Sequence, residues 1–295
     1  MAQINIQFSR FSAFYSPLIS TMSAGFLQEE GLEPEWSVAP PPGAAIPALL
    51  DGTADVIQSA LSNGLISLEK GETPPAVHFA QINEMDGFFI TAREPDPDFT
   101  WDKLAGQKVV VDHGGQPLAM FKYACHKMGL DYGSIEAIDA GDVDQMDKAF
   151  REGTGLYIHQ QGPAPQQLEH DGAGYVVASV GKAIGPNAFS SLASTRDWLE
   201  TDMAKAFIRA YKKARAYVND TPAEDIAKAE TKYFPDIDID VLTATIKTYQ
   251  SLGCWSAHSE ITKAAFEVAQ DVFLHSGAIT KRYNYSDVCA KPPHG

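Results

Sequence analysis

The chain has 295 residues, 44% of them hydrophobic and 21% charged, and it carries a formal net charge of −15 at pH 7. This length allows one large or two modest domains, because a domain usually takes about 100 to 200 residues. The negative charge argues against nucleic acid and anionic membranes as partners. No apolar run approaches the roughly 20 residues of a membrane span, so membrane insertion is not expected.

The N-terminus enters directly into a predicted strand, 4–8, in which apolar and polar residues alternate. No basic segment followed by an apolar segment precedes it. Two locations therefore stay open. The protein is cytoplasmic, or it is periplasmic or lipid-anchored outside the cytoplasm and its export signal has been removed.

Strand and helix patterns alternate along the first part of the chain. Strands are predicted at 4–8, 33–38, 54–59 and 77–82, and helices at 17–30, 44–50 and 64–69. Residues 40–43 end the second strand before the next helix begins. Ser62 and Asn63 are predicted to cap the helix at 64–69. This alternation is typical of an α/β protein with a largely parallel sheet.

A Pro-rich acidic turn, 93–98, marks a predicted boundary. The residues that follow alternate again between strands and helices up to about residue 185, which indicates a compact inserted lobe. Strand-like crossings near Phe88 and Phe189 would form a hinge. The predicted division is lobe 1, residues 1–92 plus 186–295, and lobe 2, residues 93–185.

The C-terminal part is predicted to be helical. Helices are expected at 198–218, 241–250 and 260–276, and a further helix start lies at 221–224. These helices would cover lobe 1, and the tail at 283–295 would be irregular.

The stretch 109–117 has the pattern of a strand end that meets a helix. Three valines predict a short buried strand, Gly114 and Gly115 allow a tight turn, and Pro117 suits the first turn of a helix. Unpaired N–H groups at that helix N-terminus would favour a polar or anionic ligand group. Gly-x-Ser-x-Gly, Walker and Gly-x-Gly-x-x-Gly patterns are absent from the sequence, so these residues do not form a nucleotide-binding loop.

The cysteines predict no metal site and no disulfide framework. Cys125, Cys254 and Cys289 are an odd set without Cys-x-x-Cys spacing, and the first two are expected to be buried. The sequence indicates neither a metal nor a cofactor.

Several pieces of the chain carry a family resemblance when they are taken in order. They are Tyr15 with Pro17, Gly25–Pro34, Leu50–Val56, Leu104–Val111 and Gly129–Asp131. Together they resemble the NMT1/THI5-like substrate-binding proteins of ABC importers for sulfonates, nitrate or pyrimidines, from residue 4 to about residue 285. The resemblance implies the type II periplasmic-binding fold, an α/β fold in which two lobes, each a mixed and mostly parallel sheet flanked by helices, close on a small ligand.

The resemblance also implies where the ligand would bind, namely at loops at the strand ends of both lobes. These side chains would hydrogen-bond to a planar or partly apolar molecule and provide aromatic walls for it. The implied ligand-binding residues are Arg10, Phe14, Tyr15, Ser59, Asn63, Asn83, Asp86, His113, Gly114, Gly115, Gln116, Tyr157, His159, Asn187 and Phe189.

Several of these residues have a second interpretation. Phe14 is more often a core residue, and Arg10 either pairs with a surface acid or holds a ligand carboxylate or sulfonate. His113 and His159 could form a general base or a metal pair, but two histidines from different strands are more often simple hydrogen-bonding residues. Asp86 either takes part in acid–base chemistry or holds an amino group. No catalytic residue is assigned.

The leading functional interpretation is a non-catalytic solute-binding protein that passes its ligand to an ABC permease. The ligand would be a small aromatic or heterocyclic molecule, or one that bears a carboxylate or sulfonate. The alternative is a cytoplasmic enzyme on the same scaffold, similar to the pyrimidine synthase of thiamine biosynthesis or to a desulfinase. That synthase resemblance implies a Cys-rich iron motif and clustered histidines, which this sequence lacks. A ligand-sensing module is a third interpretation, but no DNA-binding segment is attached.

Overall fold

The computed structural model describes residues 1–40 and 45–295. The strands are β1 (Ala2–Phe8), β2 (Leu32–Val38), β3 (Val56–Ser59), β4 (Val77–Asn83), β5 (Phe88–Ala92), β6 (Lys108–Val111), β7 (Glu136–Ile138), β8 (Tyr157–Gln161), β9 (Tyr175–Ser179) and β10 (Ser190–Ser194). Residues 41–43 of the predicted break at 40–43 lie outside the described residues, and so does the predicted helix start at Ala44.

The helices of the same ranges are α1 (Ser16–Ser23), α2 (Phe26–Glu29), α3 (Ile46–Leu50), α4 (Leu61–Glu69), α5 (Gly115–Lys127), α6 (Val143–Arg151), α7 (Ala164–His170), α8 (Val180–Ile184), α9 (Arg196–Leu199), α10 (Asp202–Asp220), α11 (Ala223–Glu230), α12 (Ile239–Leu252), α13 (Lys263–Ser276) and α14 (Tyr285–Val288). Short 3-10 turns lie at Ala13–Tyr15, Trp101–Leu104, Tyr132–Ser134 and Thr231–Tyr233. The tail predicted as irregular therefore contains α14.

The strands form two sheets. The first has the order β2-β1-β3-β10-β4 and the second has the order β7-β6-β8-β5-β9. In each sheet one strand runs antiparallel to its neighbours, β10 in the first and β5 in the second, while the remaining observed pairs are parallel. The prediction of mixed, mostly parallel sheets is confirmed.

The second sheet is buried on both faces. Val110 and Ile158 pack with Met146 of α6 and Leu168 of α7, whereas Val109 and its neighbours pack with α5. Apolar residues on both faces of a strand are typical of a parallel sheet covered by helices on both sides. We call the first sheet with its helices lobe 1 and the second sheet with its helices lobe 2.

The predicted lobe boundary at residue 93 needs a correction. Phe88–Ala92 was assigned to lobe 1, but this strand lies inside the second sheet, where it pairs with β8 on one side and β9 on the other. The chain therefore crosses between the lobes at 84–87 and returns at 185–189. The two crossings lie side by side, since Asn187 N donates to Glu84 O at 2.8 Å and Phe189 N donates to Asn83 O at 3.2 Å.

The C-terminal helices contact both lobes rather than lobe 1 alone, which corrects the prediction. In α12, Tyr249 Oη accepts a hydrogen bond from Gly162 N at 2.8 Å and donates one to Gly87 O at 3.0 Å. In α13, the ring of His275 stacks on His126 of α5 with centroids 4.5 Å apart. Sequence periodicity identifies the apolar face of a helix but not which lobe covers it.

Candidate functional site

A cavity of about 330 Å³ lies where the carboxyl ends of the strands of both lobes meet. We call it the main cavity. Lobe 1 contributes Arg10, Tyr15, Gln58, Asn63 and Ser190, and lobe 2 contributes Phe88, Gly114, Gly115, Gln116 and Gln161. Open α/β sheets usually bind ligands at this edge, and the volume suits a small organic molecule.

Gln58 fixes the first loop of the cavity. Its Oε1 accepts hydrogen bonds from Ser9 N at 3.0 Å and Arg10 N at 3.2 Å, and its Nε2 donates to Ser190 Oγ at 2.9 Å. The side chain is buried in β3 between β1 and β10. Because both ends of the amide are engaged, the backbone of Arg10 is held against lobe 1.

An ion pair joins the two lobes beside the cavity. Arg10 Nη1 lies 2.7 Å from Asp112 Oδ2, and the Arg10 guanidinium also lies over the ring of Phe88. Burial by itself would raise the pKa of Asp112, but the charge and hydrogen bond of Arg10 hold it below its usual range. Arg10 is therefore already paired before an anionic ligand enters.

A second link between the lobes runs through Gln116 at the start of α5. Ser62 Oγ of lobe 1 donates to Gln116 Oε1 at 3.3 Å, and Gln116 Nε2 donates to Phe189 O at 2.5 Å. Asn63 lies beside Ser62 at the cavity wall, and its Nδ2 donates to Ser59 Oγ at 2.9 Å. The predicted cap at Ser62 and Asn63 is wrong, because α4 begins at Leu61 and includes both residues.

The glycines at the start of α5 are not there to form a left-handed turn. Their missing side chains leave space beside the helix N-terminus. Gly114 has φ −55°, and a Cβ there would lie 2.9 Å from Asp112 Oδ1. A Cβ on Gly115 would have no heavy atom within 4 Å. Helix geometry leaves the N–H groups of Gly115 and Gln116 without intrahelical acceptors, so a polar ligand group can accept hydrogen bonds from them.

Gln161 brings a buried amide to the cavity from lobe 2. Only 7% of the residue is exposed, and neither amide atom makes a close hydrogen bond within residues 1–40 and 45–295. Its one polar neighbour of note in these ranges is the Tyr15 hydroxyl, and this contact offsets part of the rise that burial causes in the pKa of Tyr15. Buried polar side chains are normally paired, so this amide is available to a ligand.

A larger cavity of about 670 Å³ adjoins the main cavity. We call it the side cavity; its lining includes Phe11, Met146, Gln160, Pro163 and Ile237. Arg10 and Gln161 line both cavities. Phe11 and Ile237 come from lobe 1, and the other three residues come from lobe 2, so the side cavity is also a space between the lobes.

The structure brings together some of the predicted site residues and not others. Those that line the main cavity are Arg10, Tyr15, Asn63, Gly114, Gly115, Gln116 and Phe189. The remaining predicted residues are absent from its lining, and most of them support the residues that line it.

Four predicted residues lie in or directly beside the crossings. Asn83 Nδ2 donates to Phe14 O at 2.6 Å, and Asn187 Nδ2 donates to Gly185 O at 3.0 Å. The Phe14 ring is fully buried, and a Cβ on Gly87 would lie 2.5 Å from it, so glycine is required where the first crossing passes this ring. Burial raises the pKa of Asp86 to about 7, although its Oδ1 accepts from Phe88 N at 2.6 Å.

The predicted histidines do not form a pair that could act as a metal site or a general base. His159 is fully buried and lies between the rings of Phe88 and Phe121, with centroid distances of 4.7 and 4.6 Å. Burial lowers its pKa to about 3, so the imidazole is neutral. His113 lies at the edge of lobe 2, where its Nδ1 is 2.7 Å from Val111 O.

Tyr157 and Ser59 also lie away from the main cavity. Tyr157 is at the opposite end of β8 from Gln161 and packs against Phe99. Ser59 is buried behind Asn63, and its carbonyl accepts from Ser190 Oγ at 3.2 Å. Within the described ranges, no group of three or more His, Cys, Asp or Glu side chains is arranged to hold a metal ion.

Sequence reasoning missed several residues of the main cavity. Gln58 and Ser190 are polar residues inside buried strands, which was a usable signal. Gln161 was missed because the sequence pattern predicts this strand at 156–159, which ends two residues before β8 ends. Phe273 of α13 reaches the cavity from a distant part of the chain, and nothing in the local sequence indicates this.

The family is shown by a profile match. The profile described as NMT1/THI5 like matches residues 14–225, which is most of the chain. The chain belongs to the NMT1/THI5-like family.

Relatives and solved structures agree with this family. YtlA of Bacillus subtilis (strain 168), which is described as a binding protein, is 29% identical over 284 residues, covering 95% of this chain and 85% of YtlA. The alkanesulfonate-binding protein SsuA of Xanthomonas axonopodis pv. citri, solved with bound MOPS, superposes with a TM-score of 0.74 at 15% identity, covering 99% of both chains. At that identity the likeness concerns the fold, which is the two-lobe periplasmic-binding fold predicted from the sequence.

The same fold also occurs in an enzyme. The desulfurization enzyme DszB superposes with a TM-score of 0.67 at 12% identity, covering 98% of this chain and 96% of DszB. The fold alone therefore does not separate a binding protein from an enzyme. In the described part of the chain, no helix combines the length and hydropathy needed to cross a membrane.

Proposed function

We propose that this protein is the solute-binding component of an ABC importer and that it closes its lobes over a small organic molecule in the main cavity. The observation that carries the proposal is the composition of that cavity, since lobe 1 and lobe 2 both provide hydrogen-bonding groups to one shared space. A ligand stabilises the closed arrangement only through such contacts to both lobes. A membrane permease is the proposed partner, and a position outside the cytoplasm follows from this role.

The lining favours a planar aromatic or heterocyclic ligand with hydrogen-bonding substituents. Phe88, Phe189 and Phe273 provide apolar walls, and the amides of Asn63 and Gln161 provide donors and acceptors. A carboxylate or sulfonate substituent would meet the N–H groups of Gly115 and Gln116, together with the part of the Arg10 guanidinium that Asp112 leaves free.

The state of the three cysteine thiols favours binding over nucleophilic catalysis. Burial raises the pKa of the Cys125 thiol to about 12, and it also raises the pKa values of Cys254 and Cys289. These thiols are therefore protonated and poor nucleophiles. None of the three lines the main cavity.

A thermal-shift screen tests the proposal. Sulfonates, aromatic carboxylates, pyrimidines and nitriles are added to the purified protein, and a ligand of the folded state raises the melting temperature by mass action. We expect at least one class to raise it in the wild type and to lose this effect in Asn63→Ala and in Gln161→Leu, one variant from each lobe. Chemical turnover of the ligand detected by mass spectrometry would contradict the proposal, and so would a ligand that is insensitive to both variants.

A further inference from the structure

The side cavity contains a buried amide that the proposed function does not use. Gln160 is only 2% exposed, yet neither Oε1 nor Nε2 has a hydrogen-bond partner in the part of the chain that the structure describes. Leaving such an amide unpaired costs free energy, and buried polar groups without partners are rare. The amide therefore indicates a place for a ligand group.

Strand geometry directs this amide into the side cavity. Successive residues of β8 point to opposite faces of the second sheet, so Gln160 lies on the face of Ile158. That face packs against α6 and α7, whereas His159 lies on the opposite face with Phe121. The lining of the side cavity includes Gln160 together with Met146 of α6 and Ala164 of α7.

The three basic side chains that line the side cavity are each paired with an acid, whereas the exposed Asp144 of the same lining has no ion-pair partner among the described residues. Arg10 pairs with Asp112, and Arg151 Nη2 lies 2.9 Å from Asp171 while its Nε contacts Asp147. Lys148 Nζ lies 3.8 Å from Glu152. An anionic ligand would have to displace one of the paired acids and would also meet the carboxylate of Asp144, so the cavity disfavours an anion. An uncharged hydrogen-bonding group suits the Gln160 amide.

We propose that the side cavity is a second binding subsite for a primary carboxamide attached to an apolar body. A primary carboxamide carries an N–H donor beside a carbonyl acceptor, and the Gln160 amide offers the complementary acceptor and donor. Two hydrogen bonds then satisfy both orphaned atoms of Gln160. Phe11, Pro163 and Ile237 form an apolar wall against the rest of the ligand. The subsite extends the inter-lobe cleft of the proposed function, but it is defined without reference to the solute in the main cavity.

Benzamide is the probe, and N,N-dimethylbenzamide, which has no N–H donor, is the chemical control. Dissociation constants are measured by NMR titration of the wild type, of Gln160→Met and of Gln167→Met. Gln167 also lines the side cavity, but its amide already donates to Asp171 Oδ1 at 2.9 Å, so it is the matched control. We expect benzamide affinity to fall at least tenfold in Gln160→Met and less than twofold in Gln167→Met. N,N-dimethylbenzamide should bind the wild type at least tenfold more weakly than benzamide.

The proposal is overturned if benzamide does not bind the wild type. It is also overturned if benzamide binds the wild type and Gln160→Met with equal affinity. If Gln160→Met does not fold, the side-chain amide resonances of Gln160 in the wild type decide instead, since benzamide must shift them. Asn63→Ala should leave benzamide affinity unchanged, and a loss there would place the probe in the main cavity and overturn the proposal. Failure of the thermal-shift screen leaves these readouts intact, so the two proposals fail separately.

Discussion

Two regions of the molecule bury polar side chains in opposite ways. In the helical layer of lobe 1, Arg215 and Glu230 are ionisable side chains that are almost completely buried, and both make hydrogen bonds, with only Nε of Arg215 left without a partner among the described residues. At the end of β8, Gln160 and Gln161 are uncharged and also buried, and their amides make no close hydrogen bond within the described residues. Partnered groups stabilise the folded state, whereas unpartnered groups lower its stability and are available to a ligand. The difference separates side chains that hold the fold from side chains that serve the cavities.

Arg215 provides the largest expected effect. Its Nη1 donates to Gln81 O at 2.7 Å and to Ile82 O at 3.1 Å, and its Nη2 donates to Ser256 Oγ at 3.0 Å. Arg215→Met would remove these buried hydrogen bonds, while Tyr211 Oη would still donate to Gln81 O at 2.6 Å. We therefore expect a loss of about 2 to 4 kcal/mol in the free energy of unfolding by urea.

Arg209→Met is the matched control for this prediction, because Arg209 lies on the same helix in an exposed ion pair with Glu30. Exposed pairs contribute about 0 to 1 kcal/mol. Equal losses in the two variants would remove the distinction between the two regions.

Glu230 makes the stability of the same layer depend on pH. Its carboxyl oxygens lie 2.8 and 2.9 Å from the hydroxyls of Ser16 and Ser20, but burial still raises its pKa to about 8. Between its unfolded pKa near 4.5 and pH 8 the unfolded chain loses this proton while the folded chain keeps it, so stability falls as pH rises. Glu230→Gln should reduce the fall in the free energy of unfolding between pH 5 and pH 8 by about 1 to 3 kcal/mol.

The measurement is urea unfolding at a series of pH values. Burial also raises the pKa of Asp86 to about 7. Asp86 therefore contributes a fall in stability with rising pH that is the same in the wild type and in the variant. The Glu230 assignment would be wrong if the two proteins showed the same pH dependence.

Gly114 and Gly115 are expected to differ despite being neighbours. Gly114→Ala places a methyl group 2.9 Å from Asp112 Oδ1 and disturbs the ion pair with Arg10, which should cost about 1 to 3 kcal/mol. Gly115→Ala meets no atom within 4 Å, so its stability should rise by a few tenths up to about 1 kcal/mol. Thermal unfolding of both variants gives the comparison, and a destabilised Gly115→Ala would show that the main cavity is not open at this point.

Gln161→Leu has the smallest expected effect on stability. The variant removes a buried amide that has no partner among the described residues, so the free energy of unfolding should stay within about 1 kcal/mol of the wild type or increase. Binding of a solute identified by the screen should weaken at least tenfold. A large loss of stability would show that the amide supports the fold after all.

The sequence predicted the order of strands and helices well because periodicity reports burial directly. The valines of β6 and the alternation of β1 identified inner strands of both sheets. The assignment of β5 to lobe 1 was wrong because its buried pattern does not depend on which sheet the strand joins. Only the pairing of Phe89 with Gln160 and Ser179 places it in lobe 2.

The candidate site was predictable where a loop directly follows a strand, as at Arg10 and at Gly114–Gln116. It was not predictable where a polar side chain forms hydrogen bonds within the fold instead of facing the cavity. Asn83 and Asn187 have the residue type of ligand contacts, but their amides are used to hold the two crossings. Phe273 reaches the main cavity only because α13 packs against α5 of lobe 2.

The central claim is that a solute in the main cavity favours closure of the two lobes. Small-angle X-ray scattering measures this directly as the radius of gyration with and without a solute found by the screen. We expect the radius to decrease on binding in the wild type, with no decrease in Gln161→Leu at the same solute concentration. A saturating solute that leaves the radius of the wild type unchanged would contradict the claim.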